Sequence, residues 1–104
     1  MQYDEHSDGS EVNAGVNDEF ELALPEARTA GYRWVAAESG EPILKLLSET
    51  TMPNAGAVGG TGQHVWHFRA VSAGETKLRL EYRRPWEKSA EPTRTFGLKV
   101  HVGS

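Results

Sequence analysis

The sequence predicts an all-β chain, an antiparallel sandwich of about seven short strands. Three observations predict it. Apolar and polar residues alternate with a period of two in one segment after another. Clusters of Gly, Pro, Asn, Asp and Ser separate these segments at short intervals. No stretch of any length carries the 3.6-residue period of an amphipathic helix.

The clearest strand is Leu78–Arg83, where Leu78, Leu80 and Tyr82 alternate with Arg79, Glu81 and Arg83. Pro85 stops its ladder, because proline has no N–H to donate. From the start of the chain, residues 1–9 are polar and acidic and read as a mobile tail before a single domain at 10–104. Ser10–Val12 forms a short edge strand, and residues 15–18 turn the chain. Glu19–Leu24 follows, with Phe20, Leu22 and Leu24 inward, and Pro25 ends it. The connection Ala27-Arg28-Thr29-Ala30-Gly31 carries turn chemistry, with Gly31 expected at a backbone angle that other residues resist. Tyr32–Ala37 is the third strand, with Tyr32, Trp34 and Ala36 on one face. Ile43–Leu47 alternates poorly and is read as a strand because its neighbours are strands. Residues 50–63 are irregular and glycine-rich, with Gly56, Gly59, Gly60 and Gly62. His64–Val71 points Trp66, Phe68 and Ala70 inward. Thr93–Val102 closes the set with Phe96, Leu98, Val100 and Val102 inward. Seven such strands make an immunoglobulin-like sandwich, without the cysteine–tryptophan–cysteine core of antibody domains.

Composition bounds the function. The 104 residues suit one domain able to bury a core. With no cysteine there is no disulfide, thiolate metal site or cysteine nucleophile. A net charge of −4 argues against nucleic acid as a partner. No apolar run approaches the roughly 20 residues of a membrane span. Met1-Gln2-Tyr3-Asp4 fits a cytosolic start or a chain whose export signal has been removed. The second, a periplasmic or secreted protein, is the expectation.

Catalysis needs a positioned acid, base, nucleophile or metal. His64 and His67 point to opposite faces of one strand, and His6 and His101 lie in the tail and on an outer face, so all four read as surface histidines. Gly59-Gly60-Thr61-Gly62 lacks the lysine of a phosphate loop and leads into a strand. No enzyme, cofactor or metal is expected. Arg69, Lys77, Arg79, Arg83 and Arg84 form a basic stripe, expected on the outer face of two neighbouring strands and solvated.

Three irregular segments remain: 27–31, 56–62 and 84–92. If they share one end of the sandwich, they form a wedge-like edge with an exposed tryptophan, suited to a cleft in a protein partner. Trp86 itself, in a polar loop, either folds back under that loop or stands out as an anchor.

The three segments resemble the loop signatures of the chagasin family of cysteine-protease inhibitors. Arg84-Pro85-Trp86, directly after a strand, matches the family's arginine-proline-tryptophan loop. Ala27-Arg28-Thr29-Ala30-Gly31 aligns with its Asn-Pro-Thr-Thr-Gly loop, Thr29 and Gly31 holding their places. Gly59-Gly60-Thr61-Gly62 aligns with Gly-x-Gly-Gly, Thr61 replacing a glycine. The resemblance implies a reversible inhibitor of papain-like cysteine proteases, and the chain is expected to be a monomer. The resemblance also implies that Thr29, Ala30 and Gly31 cover the catalytic cysteine, that Gly59, Gly60, Thr61 and Gly62 lie along the cleft, and that Arg84, Pro85 and Trp86 grip its flank. An immunoglobulin-like adhesion domain is the alternative.

Overall fold

The computed structural model describes residues 2–26, 31–52, 62–87 and 91–103. Among these are eight strands: β1 (Gln2–Tyr3), β2 (Glu11–Gly15), β3 (Glu19–Glu26), β4 (Arg33–Ser39), β5 (Leu44–Met52), β6 (Gly62–Ala70), β7 (Gly74–Arg83) and β8 (Arg94–Gly103). They form two four-stranded sheets, ordered β1-β3-β6-β5 and β2-β8-β7-β4. The pairings that build the core are antiparallel. The pairs β1–β3 and β2–β8 are parallel, a departure from the uniformly antiparallel expectation. Both β1 and β2 lie at a sheet edge, where a strand has one partner and can run either way.

The inward alternation predicted for β3, β6, β7 and β8 is what the sandwich buries. Phe20, Leu22 and Leu24 meet Trp66, Phe68 and Ala70 within one sheet, facing Leu78, Leu80, Phe96 and Leu98 of the other. Phe20 stacks on Phe68 at 5.3 Å between ring centroids. Two strands bury less of their apolar face, and both lie at a sheet edge and carry a bulge. In β4 Trp34 and Ala36 share one face, as predicted, pairing with Tyr82 and Leu80, but only Trp34 is buried, and the register then shifts between Ala36 and Glu38. In β5 it shifts between Leu46 and Ser48, and this edge strand buries Leu44 while Leu46 and Leu47 face water. That explains the poor alternation of the segment.

The strands that flank the loops run further than predicted. β3 continues through Pro25 to Glu26, beyond the point where β1 pairs with it, so one side of the strand makes no ladder demand on the missing N–H. β5 reaches Met52 and β6 begins at Gly62, which shortens the irregular segment from both ends.

Residues 2–9, expected from their composition as a mobile tail, make specific contacts with the sandwich. Tyr3 packs edge-on against Phe20 with ring centroids 5.7 Å apart. Asp4 caps a 3-10 turn at Glu5–Ser7, and Ser7 answers with a bond back to the Asp4 N–H. The Gly9 N–H donates to the Gly97 carbonyl, and the Gly97 N–H donates to Asp8 Oδ1, both at 2.8 Å. The acidic side chains that suggested solvation act as caps and acceptors. Tyr3→Ala is expected to cost about 1–2 kcal/mol, lowering Tm by roughly 5–15 °C in a thermal melt. An unchanged Tm would show that the segment adds nothing to the fold.

The basic stripe is divided. Arg69 lies on β6 and Lys77, Arg79 and Arg83 on β7, and these strands belong to different sheets. Sequence neighbours joined by a tight turn here cross the sandwich instead of pairing.

Candidate functional site: one end of the sandwich

Strand register brings the loop-bearing ends together. Glu26, the last residue of β3, pairs with Gly62, the first of β6, and Met52 at the end of β5 pairs with Gln63. The connections 27–30 and 53–61 therefore leave from adjacent strand ends. In the other sheet Arg33 at the start of β4 pairs with Arg83 at the end of β7. The first connection thus re-enters the fold beside the third.

The first and third segments touch directly. Gly31 has φ +80°, the left-handed region that glycine adopts freely. A Cβ at this position would overlap Cη2 of the Trp86 indole and lie 3.0 Å from Cζ3. The indole therefore rests on bare backbone. It is nonetheless 67% exposed, so Trp86 stands out from the loop and does not fold beneath it.

The turn that presents it is closed by the Glu87 N–H donating to the Arg84 carbonyl at 3.0 Å, with Pro85 pre-setting the second position. Two arginines brace the turn. Arg83 Nη2 donates to the Glu87 carbonyl at 2.9 Å, and Arg84 Nη1 donates to Glu87 Oε1 at 3.0 Å. The hydrogen bond to Glu87 and then the electrostatic effect of Tyr32 push the Arg84 pKa further above its ordinary value, reinforcing a charge that arginine keeps in any case. Its guanidinium sits 4.7 Å over the Tyr32 ring. Tyr32 stacks on Tyr82, and Tyr82 packs against Trp34, which is buried. A column of side chains thus carries the loop's support into the core.

Of the predicted site residues, Gly31, Gly62, Arg84, Pro85 and Trp86 are placed at this one end, with Gly31 and Trp86 in contact. Thr29, Ala30, Gly59, Gly60 and Thr61 lie outside the described residues.

Beneath the loops lies a polar cluster that sequence reasoning missed. Glu26 and His64 are buried, against the prediction of a surface histidine. Glu26 Oε2 accepts from the Trp34 backbone N–H at 3.1 Å and meets His64 Nδ1 at 2.9 Å. His64 Nε2 meets Glu49 Oε1 at 2.5 Å. The His64 ring stacks on Trp66 at 4.0 Å. Trp34 Nε1 donates to the Pro25 carbonyl at 2.9 Å, a second tie between the sheets. Parity was the available signal: Glu26 continues the inward series Phe20, Leu22, Leu24, and His64 precedes Trp66, Phe68, Ala70. His67, as predicted, faces outward, beside Glu19 and Glu21. Among the described residues no group of three histidine or acidic side chains is arranged to hold a metal ion.

A sandwich whose loop-bearing strand ends gather at one end, with a braced aromatic at the rim, defines a protein-binding scaffold. The chagasin family peptidase inhibitor model matches residues 13–100, and the chain belongs to that family. It is an inhibitor and not an enzyme. It is similar to Amoebiasin-1 of Entamoeba histolytica, at 30% identity over 98% of this chain and 99% of the relative. Among solved structures it is similar to a cysteine protease inhibitor from the same organism, with TM-score 0.88 and 24% identity, covering 99% of this chain and 95% of that one. PbICP-C, solved in complex with falcipain-2, shares the fold at TM-score 0.62 and 16% identity, covering 99% of this chain and 90% of that one.

Proposed function

We propose that this chain inhibits papain-like cysteine proteases reversibly, by inserting the loop end of the sandwich into the active-site cleft. The observation that carries the reading is Trp86, largely exposed yet held by a braced turn and seated on Gly31. An exposed indole on a rigid mount loses little entropy when it is buried by a partner. In this reading Thr29, Ala30 and Gly31 cover the catalytic cysteine and block its approach to a peptide. Gly59, Gly60, Thr61 and Gly62 run along the cleft through backbone contacts. Trp86 packs on an apolar wall beside it, with Pro85 fixing the turn and Arg84 supplying charge at the rim. Nothing is cleaved or formed, so inhibition is a matter of shape and burial over an interface of roughly 1,200–2,000 Å². The named complex of PbICP-C with falcipain-2, a relative in fold, supports the choice of target class.

Titration of the protein into papain with a fluorogenic peptide tests this. Stoichiometric, reversible loss of activity is expected. Full activity at micromolar inhibitor across a panel of papain-like enzymes would overturn it. Arg84→Ala is expected to raise the inhibition constant modestly, roughly two- to fivefold, because its cation–π contact and its bond to Glu87 steady the loop from a half-buried position still open to solvent. A hundredfold loss would mean that Arg84 is itself an anchor.

A further inference from the structure

His64 joins strands that bear the first two loops, and it does so through two carboxylates. Glu26 closes β3, where the first loop begins, and its Oε2 also receives the Trp34 N–H, just after the point where that loop re-enters as β4. His64 stands near the start of β6, and Glu49 on β5, the two strands that flank the middle loop. From β3 Glu26 faces the ring, from β5 Glu49, from β6 itself the uncharged Trp66, and β4 reaches the cluster through the Trp34 N–H.

A carboxylate oxygen can only accept, so two ring nitrogens that each meet one must both donate. The cluster therefore contains one proton more than a neutral imidazole between two carboxylates. When that proton leaves, one nitrogen presents a lone pair to a carboxylate oxygen. Glu26 has a side chain with no exposed surface, whereas that of Glu49 is 47% exposed. The contact that opens is accordingly the one to Glu49, on the middle-loop side.

We propose that His64 is a positioning residue for inhibition: doubly protonated between Glu26 and Glu49, it holds the roots of the first and middle loops at the spacing the cleft requires, and losing its proton releases the middle loop's root. This rests on the inhibitory reading above. Inhibition then weakens as rising pH removes that proton.

Glu49→Gln separates positioning from mere stability. Its amide can donate to a neutral His64 Nε2 while Nδ1–H still donates to Glu26, so both contacts survive without the extra proton. Inhibition constants for papain are measured from about pH 5 to 8 for wild type and variant, and their ratio cancels the enzyme's own titration. The wild type is expected to weaken relative to Glu49→Gln by roughly tenfold across the range, the worth of one hydrogen bond to a charged group. A ratio that stays constant with pH would overturn the proposal. The amide NMR shifts of Gly31 and Gly62 in the free protein give a protease-independent readout. They are expected to move with pH in the wild type and to stay still in Glu49→Gln. Shifts that are flat in both would sink the clamp whatever the inhibition shows. Titrating shifts in a wild type that inhibits no papain-like enzyme would instead overturn the inhibitory reading and leave the clamp standing.

Discussion

Trp86→Ala is expected to raise the inhibition constant by about 2–4 kcal/mol, roughly 30- to 800-fold, with little change in Tm. Hot-spot anchors are large aromatics that exchange water for a partner's pocket, and Trp86 begins the exchange 67% exposed. Little is lost in immobilising it. The turn is closed by the Arg84–Glu87 backbone bond, and the ring already rests on Gly31. The same exposure explains the small effect on folding, since truncation leaves no cavity in the core. An inhibition constant unchanged within twofold would remove Trp86 as the anchor. A large fall in Tm would show that the indole holds the loop end together in the free protein.

The second large effect is expected from Gly31→Val. Two costs combine there. Valine at φ +80° is strained by about 1–2 kcal/mol, because its branched Cβ crowds the following carbonyl. Its Cβ would also claim the space of the Trp86 indole, which must move. The first cost lowers Tm, and the second takes Trp86 from its mount and is felt in binding. The binding loss is therefore expected to exceed the stability loss and to approach that of Trp86→Ala. A double-mutant cycle isolates the link. In a Trp86→Ala background, Gly31→Val should weaken inhibition far less than it does in the wild type. Full additivity of the two losses would show that the side chains act independently, and equal losses of fold and binding would make Gly31 purely structural.

Local pattern made most of the fold legible. Alternation in Glu19–Leu24, His64–Val71, Leu78–Arg83 and Thr93–Val102 pointed to the residues that are buried, because a strand's two faces are fixed by its own geometry. The glycine at 31 announced a left-handed backbone for an equally local reason. On the edge strands β4 and β5 parity alone does not decide burial: Ala36 shares the face of Trp34 yet is exposed, and bulges follow at Ala36/Glu38 and Leu46/Ser48. The Glu26–His64–Glu49 cluster is hidden in the sequence because polar strand residues ordinarily face outward, although Glu26 and His64 hold inward parity.

The sequence by itself determined an all-β sandwich, its core faces and the three segments that carry the family's loop signatures. Only the tertiary structure decided that Gly31 lies beneath Trp86, 55 positions along the chain, and that Glu26 meets His64. It also decided that Arg69 and Arg79 lie on different sheets, and that the acidic N-terminal residues are bound. The reason is physical. Side-chain alternation is a property of each strand alone, whereas which strand ends become neighbours depends on the order and register of strands in two sheets. That order is fixed by packing between residues far apart in the chain, and no local pattern encodes it.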